Sequence, residues 1–151
     1  MLKLHDIEDK VTISLDIESY QFKQNISDNW LNVALKIIQE KHSFKALEPA
    51  LETFELVDLY NWFEQLSVDE LPEYSTLYFS EPCLEFSFLG KKDQKVRIAI
   101  QFNLEFKPNF KYCSFLEEVD EWNVVFDITQ EIFLIILKNI KELLVRFPIR
   151  K

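Results

Sequence analysis

Residues able to make or break bonds are few in this chain and lie far apart. His5 and His42 are the only histidines, and Cys83 and Cys113 the only cysteines. Nucleophilic catalysis needs a base beside the nucleophile, and neither histidine falls in a recognised motif with a cysteine or a serine. Zinc sites need Cys and His at short spacing, and that spacing is absent. Phosphate-cradling loops and dinucleotide fingerprints need several glycines, whereas Gly90 stands alone. No catalytic, cofactor-binding or metal-binding residue is therefore assigned. Carboxylates are plentiful, at 26 Asp plus Glu. A carboxylate-dependent hydrolase stays open as an alternative, although no pair is singled out.

The acidic clusters are the stronger lead. Glu117, Glu118, Asp120 and Glu121 crowd beside Trp122, just after Phe110, Tyr112 and Phe115. A second group, Glu48, Glu52, Glu55 and Asp58, surrounds the start of a helix, and Asp69, Glu70 and Glu73 follow its end. Rings among carboxylates suit a protein interface, because aromatics fill pockets and charges raise the association rate. We expect Phe110, Tyr112, Glu117, Glu118, Asp120, Glu121 and Trp122 to form a partner-binding surface. The competing reading is a set of solvated loops whose aromatics tuck into the core.

Charge narrows the class of partner. The formal net charge of -9 disfavours nucleic acid and anionic membrane, since binding either requires Lys and Arg to neutralise phosphates. It favours a basic protein. The two cysteines read as reduced, semi-buried thiols. The segment MLKLHDIEDK lacks the apolar core of a signal peptide, and Ile132–Leu137, the longest apolar run, is far short of the roughly 20 residues that span a bilayer. A cytoplasmic, soluble protein is expected.

The elements that must position these residues are legible from periodicity. In Lys95–Phe106 the apolar residues Val96, Ile98, Ile100, Phe102, Leu104 and Phe106 alternate with polar ones, which predicts a strand of about a dozen residues spanning roughly 40 Å. Leu2–Ile17 reads as a hairpin with a bulge near Glu18–Ser19. Trp30–Ile38 is a further strand, Ser43–Leu47 a short one ending before Pro49, and Thr76–Ser80, Leu84–Leu89 and Trp122–Asp127 complete the set. Gly90 is placed in a turn with Lys91–Gln94. Two amphipathic helices are expected, at about 54–66 with Thr53 as N-cap, and at about 131–147 capped by Asp127 or Thr129 and ended by Pro148. Leu134 and Val145 fall outside the second helix's apolar stripe, and we expect a second layer to cover them. The sum is one α+β domain over residues 1–151, mainly an antiparallel sheet with both helices packed on one face.

The helix FELVDLYNWFEQL (Phe54–Leu66), the run LYFSEPCLEFSF (Leu77–Phe88), the strand VRIAIQFNLEF followed by Lys107-Pro108, and the C-terminal helix ending in Phe147-Pro148 resemble the WapI-like immunity proteins of bacteria. ISLDIESYQF and the strand opening Asp28-Asn29-Trp30-Leu31 extend the similarity over nearly the whole chain. The loop Phe110–Trp122 departs from the family pattern in being more aromatic and acidic. The resemblance implies a small cytoplasmic protein that binds and neutralises a toxin domain, often a nuclease, and it carries over no functional residue. Nucleases are commonly basic because they hold phosphates, so an acidic inhibitor fits.

The reading is therefore a non-enzymatic, cofactor-free immunity-type protein that occludes a cognate basic toxin domain. An adaptor or self-associating domain, a homo-oligomer using Leu134 and Val145, is the main alternative.

Overall fold

The computed structural model describes residues 1–113 and 118–151. Strands β1 (Leu2–His5), β2 (Val11–Tyr20), β3 (Trp30–Gln39) and β4 (His42–Glu52) form one antiparallel sheet in that order. Helix α1 (Thr53–Ser67) carries the chain to a second antiparallel sheet. Its strands are β5 (Thr76–Tyr78), β6 (Leu84–Lys92), β7 (Lys95–Phe102) and β10 (Trp122–Ile128), in the order β10-β7-β6-β5. Between β7 and β10 lie a 3-10 turn, Leu104–Phe106, and a small ladder of β8 (Tyr112–Cys113) with β9 (Glu118–Val119). Helix α2 (Gln130–Arg146) follows.

The fold is α+β and mainly antiparallel, as the periodicity indicates, but the strands divide into two sheets instead of one. A short first strand explains the break. Asp6 ends β1 by accepting the Lys10 and Val11 amides through Oδ1, at 2.7 and 2.9 Å, and the chain turns away. A bond from the Ile7 N–H to the Val125 carbonyl, at 3.0 Å, then links this turn to β10.

The two helices pack on each other and connect the two sheets. The α1 rings of Trp62 and Phe63 meet Phe86 of β6, and Phe63 meets Phe133 of α2. Helix α2 reaches the first sheet through the Tyr20–Phe147 ring contact and an Asn139 bond to the Met1 carbonyl. One apolar cluster runs through all of these elements. With burial worth about 25 cal/mol per Å² of apolar surface, this shared core holds the two sheets together.

Several boundaries differ from the expected ones, each for a local reason. The strand at Lys95 stops at Phe102, because both neighbours stop there too: Phe102 pairs with Leu84 and with Trp122. Beyond it Leu104 takes φ +52° and is exposed, so it leaves the apolar face it was assigned to. Strand β4 runs through Pro49 to Glu52, because β4 is an edge strand where a missing N–H costs no ladder bond, and a bulge opposite Leu31–Asn32 absorbs the change. Gly90 is not in the turn. It sits inside β6 at φ +148° beside a register shift, and Asp93 and Gln94, both left-handed, make the two-residue hairpin turn. The bulge at Ile17–Ser19 falls where expected.

The helix starts are close to expectation. The N-cap of α1 is Glu52, not Thr53, and the Glu55 side chain bonds back to the Glu52 amide at 2.9 Å. Thr129 caps α2, accepting the Ile132 amide. Leu134 and Val145 are uncovered, at 60% and 80% exposure, against the expectation of a second layer. They lie on the α2 face opposite Phe133, Ile136 and Ile140, which are turned into the core.

Candidate protein-binding site

The residues expected to contact a partner are not all exposed. Trp122 is 1% exposed. Its indole N–H donates to the Phe110 carbonyl at 2.8 Å, and the Phe110 ring stands edge-on to it at 5.4 Å while stacking on His42 at 4.8 Å. Tyr112 leans on Trp122 at 5.1 Å and is buried. Burial, with Asp6, Glu8 and Cys113 adding to it, pushes its hydroxyl up to about 12. Buried Gln39 splints the same segment, donating to the Lys111 carbonyl at 2.9 Å and accepting the Cys113 amide at 2.8 Å. Rings already packed this way have no free face to insert into a partner. Tyr112 and Trp122 are therefore core residues, Phe110 is half-buried, and Glu118, Asp120 and Glu121 are exposed. Glu117 and Phe115 lie outside the described residues.

A better-formed concavity lies elsewhere, between α1 and β5. Its volume is about 490 Å³, and it is lined by Asp58, Asn61, Trp62 and Gln65 of α1 and by Glu73, Tyr74, Thr76, Leu77 and Tyr78. Helix α1 positions its rim with side-chain bonds to the passing backbone. Trp62 donates to the Tyr74 carbonyl at 3.0 Å, Gln65 accepts the Glu73 amide at 3.1 Å, and buried Glu55 accepts the Ser80 amide. Leu77 is turned inward, while Tyr74 and Tyr78 stand 60% and 70% exposed. Large rings held open to solvent beside carboxylates are the combination an interface uses.

The electrostatics of this groove are one-sided. Among the described residues no cation lines it, and Asp58 holds its proton more tightly than an ordinary aspartate because of partial burial and then the charges of Glu55 and Glu73. Glu52, at the helix start, is raised by burial, Glu55 and Asp28. At the end of the sheet where β6 begins, the Cys83 thiol is pushed up to about 12 by burial, then Glu105, Glu81 and Glu48. Burial and these carboxylates disfavour the thiolate, which is the nucleophilic form of a cysteine. Among the described residues, no three His, Cys, Asp or Glu side chains converge to hold a metal ion, and no helix is long and apolar enough to cross a membrane.

The profile of the WapI-like immunity protein family matches residues 3–148. The chain belongs to this family. No curated protein and no solved structure matches it. Membership in the WapI-like family implies a protein partner, the cognate toxin.

In this WapI-like protein, sequence reasoning passed over Tyr74 and Tyr78, although a signal was present. From Ala46 to Gly90 the chain carries Glu48, Glu52, Glu55, Asp58, Glu64, Asp69, Glu70, Glu73, Glu81 and Glu85 and not one Lys, Arg or His. Such a long stretch without a cation, from the end of β4 through α1 and β5 into the first part of β6, marks an acidic part of the molecule, ended by Lys91 and Lys92 at the far end of β6. The loop around Glu118, by contrast, has Lys107 and Lys111 beside it.

Proposed function

We propose that this protein is an immunity protein that neutralises a basic toxin domain by covering it, with no bond made or broken. Membership in the WapI-like family over residues 3–148 carries this reading. The exposed carboxylates and tyrosines of the α1–β5 groove supply the surface: negative charge speeds encounter with a basic domain, and rings give it hold. The toxin's own chemistry, a nuclease among the options, sets how basic its surface is.

Glu118, Asp120 and Glu121 form the second part of the proposed contact, at its rim, and Glu117, outside the described residues, belongs to the same proposal by sequence. Tyr78 pairs with Glu85 next to Leu84, and Leu84, Phe102 and Trp122 stand in one row across the sheet. Three strand spacings of about 4.8 Å therefore separate the two sheet edges, roughly 14 Å. A standard interface of about 800 Å² per partner is roughly 30 Å across, wide enough for both. The cytoplasm is the proposed compartment, where the toxin would act.

Co-expression tests the proposal. The toxin domain encoded beside this protein should arrest growth alone and be tolerated when this protein is present. Charge reversal at Asp58 and Glu73 should abolish rescue, and reversal at Glu118, Asp120 and Glu121 should weaken it. Full rescue by both variants would show that the acidic surface is not the contact, and absence of rescue by the unaltered protein would reject the function.

A further inference from the structure

The α1–β5 groove has a second property, independent of its charge: it exposes an unpaired sheet edge. Strand β5 is the last strand of its sheet. The Phe88 amide donates to the Ser75 carbonyl at 2.7 Å, and the register runs Thr76–Ser87, Leu77–Phe86, Tyr78–Glu85. In an antiparallel ladder hydrogen-bonded pairs alternate with non-bonded pairs. Ser75 and Leu77 therefore face β6, and the N–H and C=O groups of Thr76 and Tyr78 point away from it. The Thr76 and Ser87 hydroxyls, 3.1 Å apart, fit the closer side-chain approach of a non-bonded pair. Among the described residues nothing pairs with those four outward groups. At its two ends α1 holds the same edge: Trp62 donates to the Tyr74 carbonyl and Glu55 accepts the Ser80 amide.

We propose that β5 receives an extended segment of the toxin as an added antiparallel or parallel strand, and that this segment carries Lys or Arg on the side facing α1. This deepens the proposed function and rests on it. Backbone pairing to Thr76 and Tyr78 supplies up to four hydrogen bonds whatever the incoming sequence, and alternate side chains then select it. Residues pointing toward α1 meet Asp58, Asn61, Gln65 and Glu73, so cations fit there. The exposed rings of Tyr74 and Tyr78 accept the stems of long side chains and make cation–π contacts. Neither Pro nor Lys, the usual guards of a bare edge, lies in Thr76–Tyr78. A second copy of this chain is a poor occupant, because pairing two β5 edges would bring two sets of Asp58 and Glu73 together.

The test uses the full chain and the neighbouring toxin domain, inactivated by substitution so that it can be purified. Complex formation should slow hydrogen exchange at the Thr76 and Tyr78 amides at least tenfold. Thr76→Pro removes an N–H that faces away from β6, so the existing ladder survives. It should weaken binding roughly five- to tenfold more than Thr76→Ala, which keeps the N–H. Asp58→Asn with Glu73→Gln should shift the selected segment away from basic sequences. If the toxin binds, yet both amides exchange as in the free protein and Thr76→Pro binds like Thr76→Ala, strand addition is overturned and the immunity function stands. If the toxin does not bind at all, both fail. Dimerisation on removing the two charges, with toxin binding unaltered, would show that the carboxylates only guard the edge and would also overturn the proposal.

Discussion

Replacing Asp58 by Asn should make this protein more stable and a poorer binder. The change is nearly isosteric and removes one negative charge from the groove. Glu55 lies one turn before Asp58 on α1, and Glu73 faces it from the loop. A like-charge pair three residues apart on a helix costs about 0.2–0.5 kcal/mol, and a solvent-screened second neighbour adds a similar amount at most. Their relief comes to about 0.2–1 kcal/mol, and 1 kcal/mol shifts the Tm of a domain of this size by about 2–4 °C. The Tm at pH 7 should therefore rise by about 0.5–4 °C. Because the Asp58 proton is held more tightly in the folded chain than in the unfolded one, the wild type loses stability as pH rises through that range. The advantage of Asn should accordingly shrink as pH falls through the ordinary aspartate pKa of about 3.9, as Asp58 becomes protonated in both states. Differential scanning calorimetry of both proteins from pH 3.5 to 8 measures this. A lower Tm for Asp58→Asn at pH 7, or a gain that persists unchanged at pH 3.5, would refute the like-charge argument.

Three further outcomes follow from the packing. Trp122→Ala removes a buried ring and the bond to the Phe110 carbonyl, and chemical denaturation should show a loss of about 3–5 kcal/mol. Glu55→Ala frees the Glu52 and Ser80 amides and should cost about 2–3 kcal/mol, with exchange rising first at the start of α1 and after β5. Leu134→Lys and Val145→Lys, at exposed positions of α2, should change stability by no more than about 0.5 kcal/mol. If sedimentation shows a concentration-dependent dimer that either variant dissolves, the uncovered α2 face is a self-association surface.

Period-two runs such as Val11–Ile17 and Leu31–Ile37 predicted both the strands and their buried faces, because a one-residue slip would turn every apolar side chain to water. The helices were equally legible from their stripes and caps. The division into two sheets was not, since it depends on β1 ending at Asp6, and an Asp ending a strand looks the same whichever edge lies beside it. The end of β7 was hidden for a related reason: Leu104 continues the alternation, but its pairing partners have run out. At the candidate site Glu118, Asp120 and Glu121 are exposed, whereas Tyr112 and Trp122 are buried, as the competing reading of tucked aromatics has it. Ring and charge adjacency in sequence does not say which way a ring turns, and Trp122 is the first residue of a strand whose even positions all face the core. Tyr78 escaped notice because a strand of three residues is too short to show a period, and Tyr74 because it sits in the loop before it.

Titration calorimetry of the purified protein with the inactivated neighbouring toxin domain is the most direct test of whether it works by presenting a negative surface. The account predicts a one-to-one complex whose affinity falls at least tenfold between about 50 and 300 mM salt, because exposed charges more than a Debye length apart are screened. No heat in dilute buffer, or an affinity indifferent to salt, would contradict it.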